Sequence, residues 1–476
     1  MAARTSSTVT AGFTDTSTRS PSAAIGAVWR RNEGLHPRGP PVTSWVLRHF
    51  DVLIIGGGFG GATVARHLQD HLAGRGRPGG PRVLLVAPEN FLLFAPLLPE
   101  AASGTIEPRH AVIPLREMLR RTQLLVGEVT SIDLEARTAV AEDLTGARHD
   151  VSWAQLVLSP GSVPSVIAVP GLKENAVGFK TLTDAIWLRN RVLRQLETAD
   201  ATLDPVRRRE LLTFTFVGGG YAGVEALAEM ESLVSDALHT YRSLSRQDLR
   251  WVLVEARNSL LPGLDPKLAR YTESRLRRRG VEILLETWLE SCVDKKVVVS
   301  ASGVQPYVSD TIVWATGQRP SPLVSGLGLA TDDVGRLMVD DKIRAIGRTD
   351  VFALGDAAAV PDPDGGVCPG TAQHAVRQAK VCARNVAAAL GAGQPTTFTY
   401  RNRGLAVTLG RNQGTAQVYR FTFTGVLAWL MGRSYHLLMM PGLARKVRVV
   451  ADWTTAMIFP RDLSQLGSLG RRAPLE

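Results

Sequence analysis

Two short stretches constrain this chain more than anything else in it: VLIIGGGFGGATVAR at 52–66 and FTFVGGGYAGVEALAEM at 214–230. Each is an apolar strand that breaks into glycines and then opens a helix. Gly56, Gly58 and Gly61 stand in G-x-G-x-x-G spacing, and Gly218, Gly220 and Gly223 repeat it. In that pattern the first glycine makes a tight turn and the second lets the backbone approach a pyrophosphate. The third lets helix and strand pack closely. The helix N-terminus offers the phosphates free N–H groups and its dipole. One glycine cluster marks a turn; two in this same context mark two dinucleotide sites. Phe59, Gly60 and Tyr221, between or beside these glycines, join the candidate nucleotide contacts. The chain therefore reads as α/β with two Rossmann-like dinucleotide-binding domains.

The acid after the following strand distinguishes the two sites. LRWVLVEAR ends in Glu255, whose carboxylate can accept hydrogen bonds from both ribose hydroxyls and repels a 2′-phosphate. That favours NADH over NADPH, with Arg257 close by as a counterweight. After the first loop, RVLLVAPEN has Ala87 where the acid would stand, and Glu89 is the candidate that reaches round a turn. DVFALGDAAAV at 350–360 is a strand closing on Gly355 and Asp356. Asp356 can bind a ribityl hydroxyl while the start of a following helix faces the pyrophosphate. TIVWATGQRPS at 311–321 closes another strand on Gly317, and QLVLSPGSVPS at 155–165 looks like its counterpart earlier in the chain.

The length of 476 residues suits two or three domains. Cys292, Cys368 and Cys382 are far apart with no CxxC, so the expectation is neither a disulfide scaffold nor a cysteine zinc site, and the pattern suits a reducing compartment. A net charge of +11 suits nucleic acid or an anionic membrane surface. There is neither a concentrated basic stretch nor a recognised binding module, so nucleic acid is disfavoured. Residues 1–48 are rich in Ser, Thr, Ala, Pro and Gly and read as a disordered extension. No run reaches the roughly 18 apolar residues of a spanning helix.

The ordered set of strand–GxGxxG, a second GxGxxG, ATG and a late Gly-Asp resembles the pyridine nucleotide–disulfide oxidoreductase superfamily. That resemblance implies FAD at the first loop and NADH at the second, with the NADH domain inserted in the FAD domain. The expected divisions are 49–165 and 318–415 for FAD, 166–317 for NADH, and 416–476 for a C-terminal segment. No cysteine pair is present to relay electrons, so another acceptor must follow the flavin.

NFLLFAPLLPEAASGTIEPRHAVIPLR at 90–116 is similar to a stretch of the type II NADH dehydrogenases, the single-subunit NADH:quinone oxidoreductases. Phe94, Pro96, Leu97, Leu98, Glu100 and Gly104 match, and Pro96 joins the flavin-contacting candidates. PGTAQHAVRQAK at 369–380 resembles that family's quinone motif, with Gln373 in place and Arg377 where a second Gln is usual. Glu225 occupies the family's acid after the second loop, where it can orient rings or supply a proton. An acid in a first helical turn is also stabilised by the dipole whatever its function. The implied catalytic residues are thus Glu225 and Gln373, and no metal is implied.

Residues 425–459 carry Leu443, Val447, Val450, Trp453 and Met457 at helical spacing, with Arg445, Lys446, Arg448 and Asp452 elsewhere. The segment suits an amphipathic membrane-anchoring helix, as in that family; a core helix or a homodimer contact is the other reading. The expectation is non-electrogenic transfer from NADH through FAD to a membrane quinone, by a peripheral protein on the cytoplasmic face. A soluble flavoprotein reductase and a flavin-containing NADH sensor are the alternatives.

Overall fold

The computed structural model describes residues 47–72, 81–165, 167–400 and 404–465. Most of the expected N-terminal extension, and the end of the C-terminal segment, lie outside the described residues. The first apolar run forms a strand longer than the sequence suggested, Arg48–Ile55, because Phe50 is also buried. It pairs in parallel with Val83–Ala87 on one side and with Arg148–Leu158 on the other. Val351–Ala353 and the first residues of Gln123–Asp133 complete the parallel sheet at its two edges. Beyond Val126 the long strand turns away into an antiparallel meander with Thr138–Asp143 and the start of Arg148–Leu158.

The second glycine loop belongs to a separate, wholly parallel sheet. Its order is Val281–Leu284, Arg250–Val254, Thr213–Val217, Thr311–Trp314 and Ala176–Gly178. A parallel sheet must be covered on its faces, and the strand residues Thr213–Val217 are all buried. Phe214 and Phe216 pack with Leu188, Val192, Leu227 and Met230 from the helices Leu182–Ala201 and Tyr221–Ala237. The chain leaves the first sheet along Ser162–Pro164 and returns along Gln318–Pro320, and these two segments pair antiparallel. The likeness of SPG to ATG in sequence thus corresponds to a two-stranded crossing.

One expectation fails here. No helix follows Gly355-Asp356 directly: a single 3-10 turn, Gly355–Ala357, leads into the two-residue strand Ala358–Ala359. The helix starts at Ala372, capped by the Thr371 hydroxyl, which accepts from the His374 backbone N–H. It packs along Phe59–Leu72, so the two helices lie side by side. A three-stranded antiparallel sheet follows, Gly404–Thr408, Gly414–Val418 and Phe421–Thr424. The chain ends its described course in helices Gly425–Met439 and Leu443–Ile458. Among the described residues no helix is long and apolar enough to cross a membrane.

Candidate functional site

Both glycine loops have the shape that a pyrophosphate requires. A Cβ on Gly56 would stand 2.0 Å from the Ser159 carbonyl oxygen, and one on Gly61 2.0 Å from that of Gly56. Gly223 meets the Gly218 carbonyl in the same way, also at 2.0 Å. Gly60 is closed by the Ser159 hydroxyl. The middle glycines differ: a Cβ on Gly58 or on Gly220 would meet nothing within 4 Å. The loops are thus fixed by sterics on the protein side and leave open space at the middle glycine. FAD and NADH fit these two cradles.

Glu255 follows the strand Arg250–Val254 and is buried behind the second loop. One carboxylate oxygen accepts from the Gly219 N–H at 2.5 Å and the other from the Arg257 N–H at 2.8 Å. Each oxygen keeps a second lone pair for a ribose hydroxyl. After the first loop Ala87 is buried and Glu89 lies exposed two residues beyond the strand. Asp356 accepts from the Ser162 hydroxyl at 2.7 Å, and Lys180 bonds Ser162 Oγ at 2.7 Å and Gln318 Oε1 at 2.6 Å. Burial lowers the Lys180 pKa, with Asp356 acting against it. Lys180 therefore ties together both crossing strands beside Gly317. Gly355 donates its N–H to Gln378 Oε1 at 2.9 Å.

A cavity of about 560 Å³ joins the remaining candidates. Phe59 comes from the first loop, Phe94 and Pro96 from the apolar 90–116 stretch, and Tyr221 and Glu225 from the second loop's helix. Gln373 and Arg377 enter from the helix Ala372–Ala389, and His436 from the helix Gly425–Met439. Gln373 Nε2 donates to the Tyr400 hydroxyl, and the Arg377 guanidinium lies 5.3 Å from the centre of the Tyr400 ring. The Phe59 and Phe94 rings meet edge to face at 5.6 Å.

Glu225 is not in a first helical turn, since the helix begins at Tyr221 and its first turn carries no acid. The dipole account therefore does not apply. Its carboxyl is half-buried on the cavity wall and pushed up to about 8, chiefly by burial, with Glu229 and Glu100 adding like charge. The Thr408 N–H and hydroxyl, at 2.9 and 3.2 Å from Oε1, act against that rise without cancelling it. At neutral pH this group holds its proton. His436 is held neutral, its pKa lowered to about 4 by burial.

The C-terminal helices are fastened through one buried acid. Glu100, 2% exposed, accepts from Arg433 Nε at 3.0 Å and from the Trp453 indole N–H. Arg433 also stacks on Trp429, its guanidinium 3.9 Å from the ring centre. Asp452 bonds His110 and the Glu107 N–H, and Arg445 donates to the Arg109 carbonyl. This corrects the expected stripe: Trp453 faces inward, and Asp452 and Arg445 dock the helix instead of lining a solvated rim. Leu443, Val447, Val450 and Met457 remain exposed, as do Leu427, Leu430 and Leu438 on the preceding helix.

Sequence reasoning missed Lys180, Tyr400 and His436. None lies in a glycine motif; each becomes visible only when distant segments meet.

The family model described as pyridine nucleotide-disulphide oxidoreductase matches residues 50–379. The chain is 32% identical over 440 residues to the type II NADH:quinone oxidoreductase Ndh of Mycobacterium tuberculosis, covering 90% of this chain and 92% of the relative. It is 28% identical over 408 residues to the demethylphylloquinone reductase NdbB of Synechocystis, covering 85% and 95%. In fold it is similar to the NDH2 of Plasmodium falciparum solved with NADH, at TM-score 0.78, 16% identity, 88% of this chain and all of that one. The chain belongs to the pyridine nucleotide-disulphide oxidoreductase family, among its type II NADH:quinone oxidoreductases.

Proposed function

We propose that this protein oxidises NADH and passes the electrons through FAD to a membrane quinone, without moving ions across the membrane. The observation that carries this reading is the single cavity walled by both glycine-loop helices, the 90–116 stretch and the C-terminal helix. FAD bound at Gly56–Gly61 supplies the hydride-accepting and electron-donating chemistry. The protein's own residues supply placement and protons. In this reading residues 49–165 and 318–415 hold FAD, with Phe59, Gly60, Glu89, Pro96, Gly355 and Asp356 around it. Residues 166–317 form the inserted NADH domain, with Gly218, Gly220, Tyr221, Gly223, Glu255 and Gly317 around the nucleotide.

Gln373 and Glu225 face the quinone. The protonated Glu225 carboxyl donates a hydrogen bond to a quinone oxygen and then its proton as negative charge develops there. Arg377, which departs from the Gln of the resembled quinone motif, places a fixed cation near that same charge. The apolar faces of Gly425–Met439 and Leu443–Ile458 rest on the lipid, so the protein is peripheral and acts from the cytoplasmic face. Fully burying one such Val, Leu or Phe is worth about 1.5–3 kcal/mol, so a few suffice.

The test is flotation with anionic vesicles carrying a long-chain quinone. Full-length protein should float with them and oxidise NADH with the embedded quinone, and Leu443→Ser/Val447→Ser/Met457→Ser should do neither while still oxidising NADH with a water-soluble quinone. Failure of the parent protein to float at low salt, with the same face buried in a homodimer, would refute the anchor.

A further inference from the structure

The loop between Gly355-Asp356 and Gln373 carries a second cluster that electron transfer does not use. Asp362, Cys368 and His374 each present one ligand atom, and these atoms lie within 4.8 Å of one another. The spacing D-x5-C-x5-H arises from two local devices. The first is a tight hairpin: Pro361 bridges Val367, Cys368 N–H bonds the Val360 carbonyl, and Asp362 Oδ1 accepts from the Asp364 N–H. The second is the capped helix start, where the Thr371 hydroxyl pairs with His374 Nδ1 at 2.8 Å. Cys368 and His374 are 3% and 2% exposed, so water competes poorly for them.

Two chemistries use a thiol, an imidazole and a carboxylate together: a nucleophile with its base, or a metal site. A nucleophile needs a thiol that a substrate can reach, whereas Cys368 is 3% exposed and enclosed by the hairpin and the helix start. A sulfur, a nitrogen and an oxygen donor suit Zn²⁺, which binds them at about 2.3 Å and 2.0–2.2 Å in a tetrahedron. Such ligands stand about 3.5 Å apart, so the three groups need to close by only about 1 Å.

We propose that Asp362, Cys368 and His374 form a zinc-binding site, with water as the fourth ligand. Binding releases the Cys368 proton to solvent as the Zn–S bond forms. The Thr371–Nδ1 hydrogen bond is the outer-shell contact that fixes a ligating imidazole, leaving Nε2 to the metal. The occupied site staples the hairpin to the helix start. The neighbouring Gln373 and His374 both meet Tyr400, Gln373 by a hydrogen bond and His374 with ring centres 5.4 Å apart. Zinc therefore stiffens the wall that carries Gln373.

The test uses the FAD-loaded protein, freed of metal by a chelator and dialysed against Zn²⁺ at neutral pH. Elemental analysis should find one zinc per chain, with affinity rising as pH rises because a thiol proton is displaced. X-ray absorption at the zinc edge should show one sulfur scatterer among nitrogen and oxygen. Cys368→Ser and Asp362→Asn, each checked for unchanged FAD content, should weaken binding at least tenfold, and zinc should raise the melting temperature of the parent alone. Zinc bound without a sulfur ligand, or bound equally by both variants, would overturn the proposal, as would no stoichiometric binding at micromolar zinc.

Discussion

Exchanging Glu225 for Gln removes a titration that the fold has displaced far from its ordinary place. The carboxyl rises from 4.5 to about 8, mainly through burial. Below about pH 4.5 the folded and unfolded chains both carry the proton, and the group adds no pH dependence. Between there and about pH 8 the unfolded chain releases its proton while the folded chain retains it, so stability falls as pH rises. Above about 8 the loss is complete. At 1.36 kcal/mol per pH unit the span is worth about 5 kcal/mol at most, and solvent in the cavity reduces it to about 2–3 kcal/mol.

Gln keeps an oxygen to accept from Thr408 and cannot ionise. Thermal melts of FAD-loaded protein should therefore show Glu225→Gln more stable than the parent at pH 9 and level with it near pH 4.5. Quinone reduction by the parent should decline above about pH 8, and the variant should be slower with that decline missing. If parent and variant follow the same pH profile in both measurements, Glu225 is not the titrating group and its role as proton donor fails.

Other perturbations separate the parts of the site. Gly58→Ala should fold as the parent does, since its Cβ meets nothing, yet bind FAD at least tenfold more weakly by fluorescence titration. Gln373→Ala should slow flavin reoxidation by quinone while leaving flavin reduction by NADH intact in stopped-flow traces. Glu255→Gln should narrow the preference for NADH over NADPH by about 1–2 kcal/mol, the size of one charge-assisted hydrogen bond, read as the ratio of kcat/KM values.

The parts legible in sequence are those set by local sterics. Gly56, Gly61, Gly218 and Gly223 are dictated by carbonyls only a few residues away or on the adjoining strand, and strands such as Thr213–Val217 announce themselves as apolar runs. Glu255 could be found because it ends one of those runs. What the sequence hides is whatever distant residues impose. Glu225 looks like a dipole-stabilised acid until the helix is seen to begin at Tyr221, leaving it beyond the first turn, and Thr408, 183 residues on, is seen to close its wall. Trp453 belongs by spacing to an exposed stripe, but Glu100, 353 residues earlier, offers its indole N–H a buried acceptor and turns it inward. Lys180 has no motif at all and matters only because the two crossing strands meet beside it. The absence of a helix directly after Asp356 has a local reason: the small residues Ala358 and Ala359 form a short strand against Leu337–Met338.

Rapid mixing of the FAD-loaded protein with NADH, followed by a short-chain quinone, reads both half-reactions in one experiment. Flavin absorbance should bleach with NADH and return with the quinone, each fast enough to sustain steady-state NADH oxidation, with one quinol formed per NADH consumed. A flavin that NADH bleaches but quinone restores more slowly than dioxygen does would contradict the assignment of the cavity to a quinone.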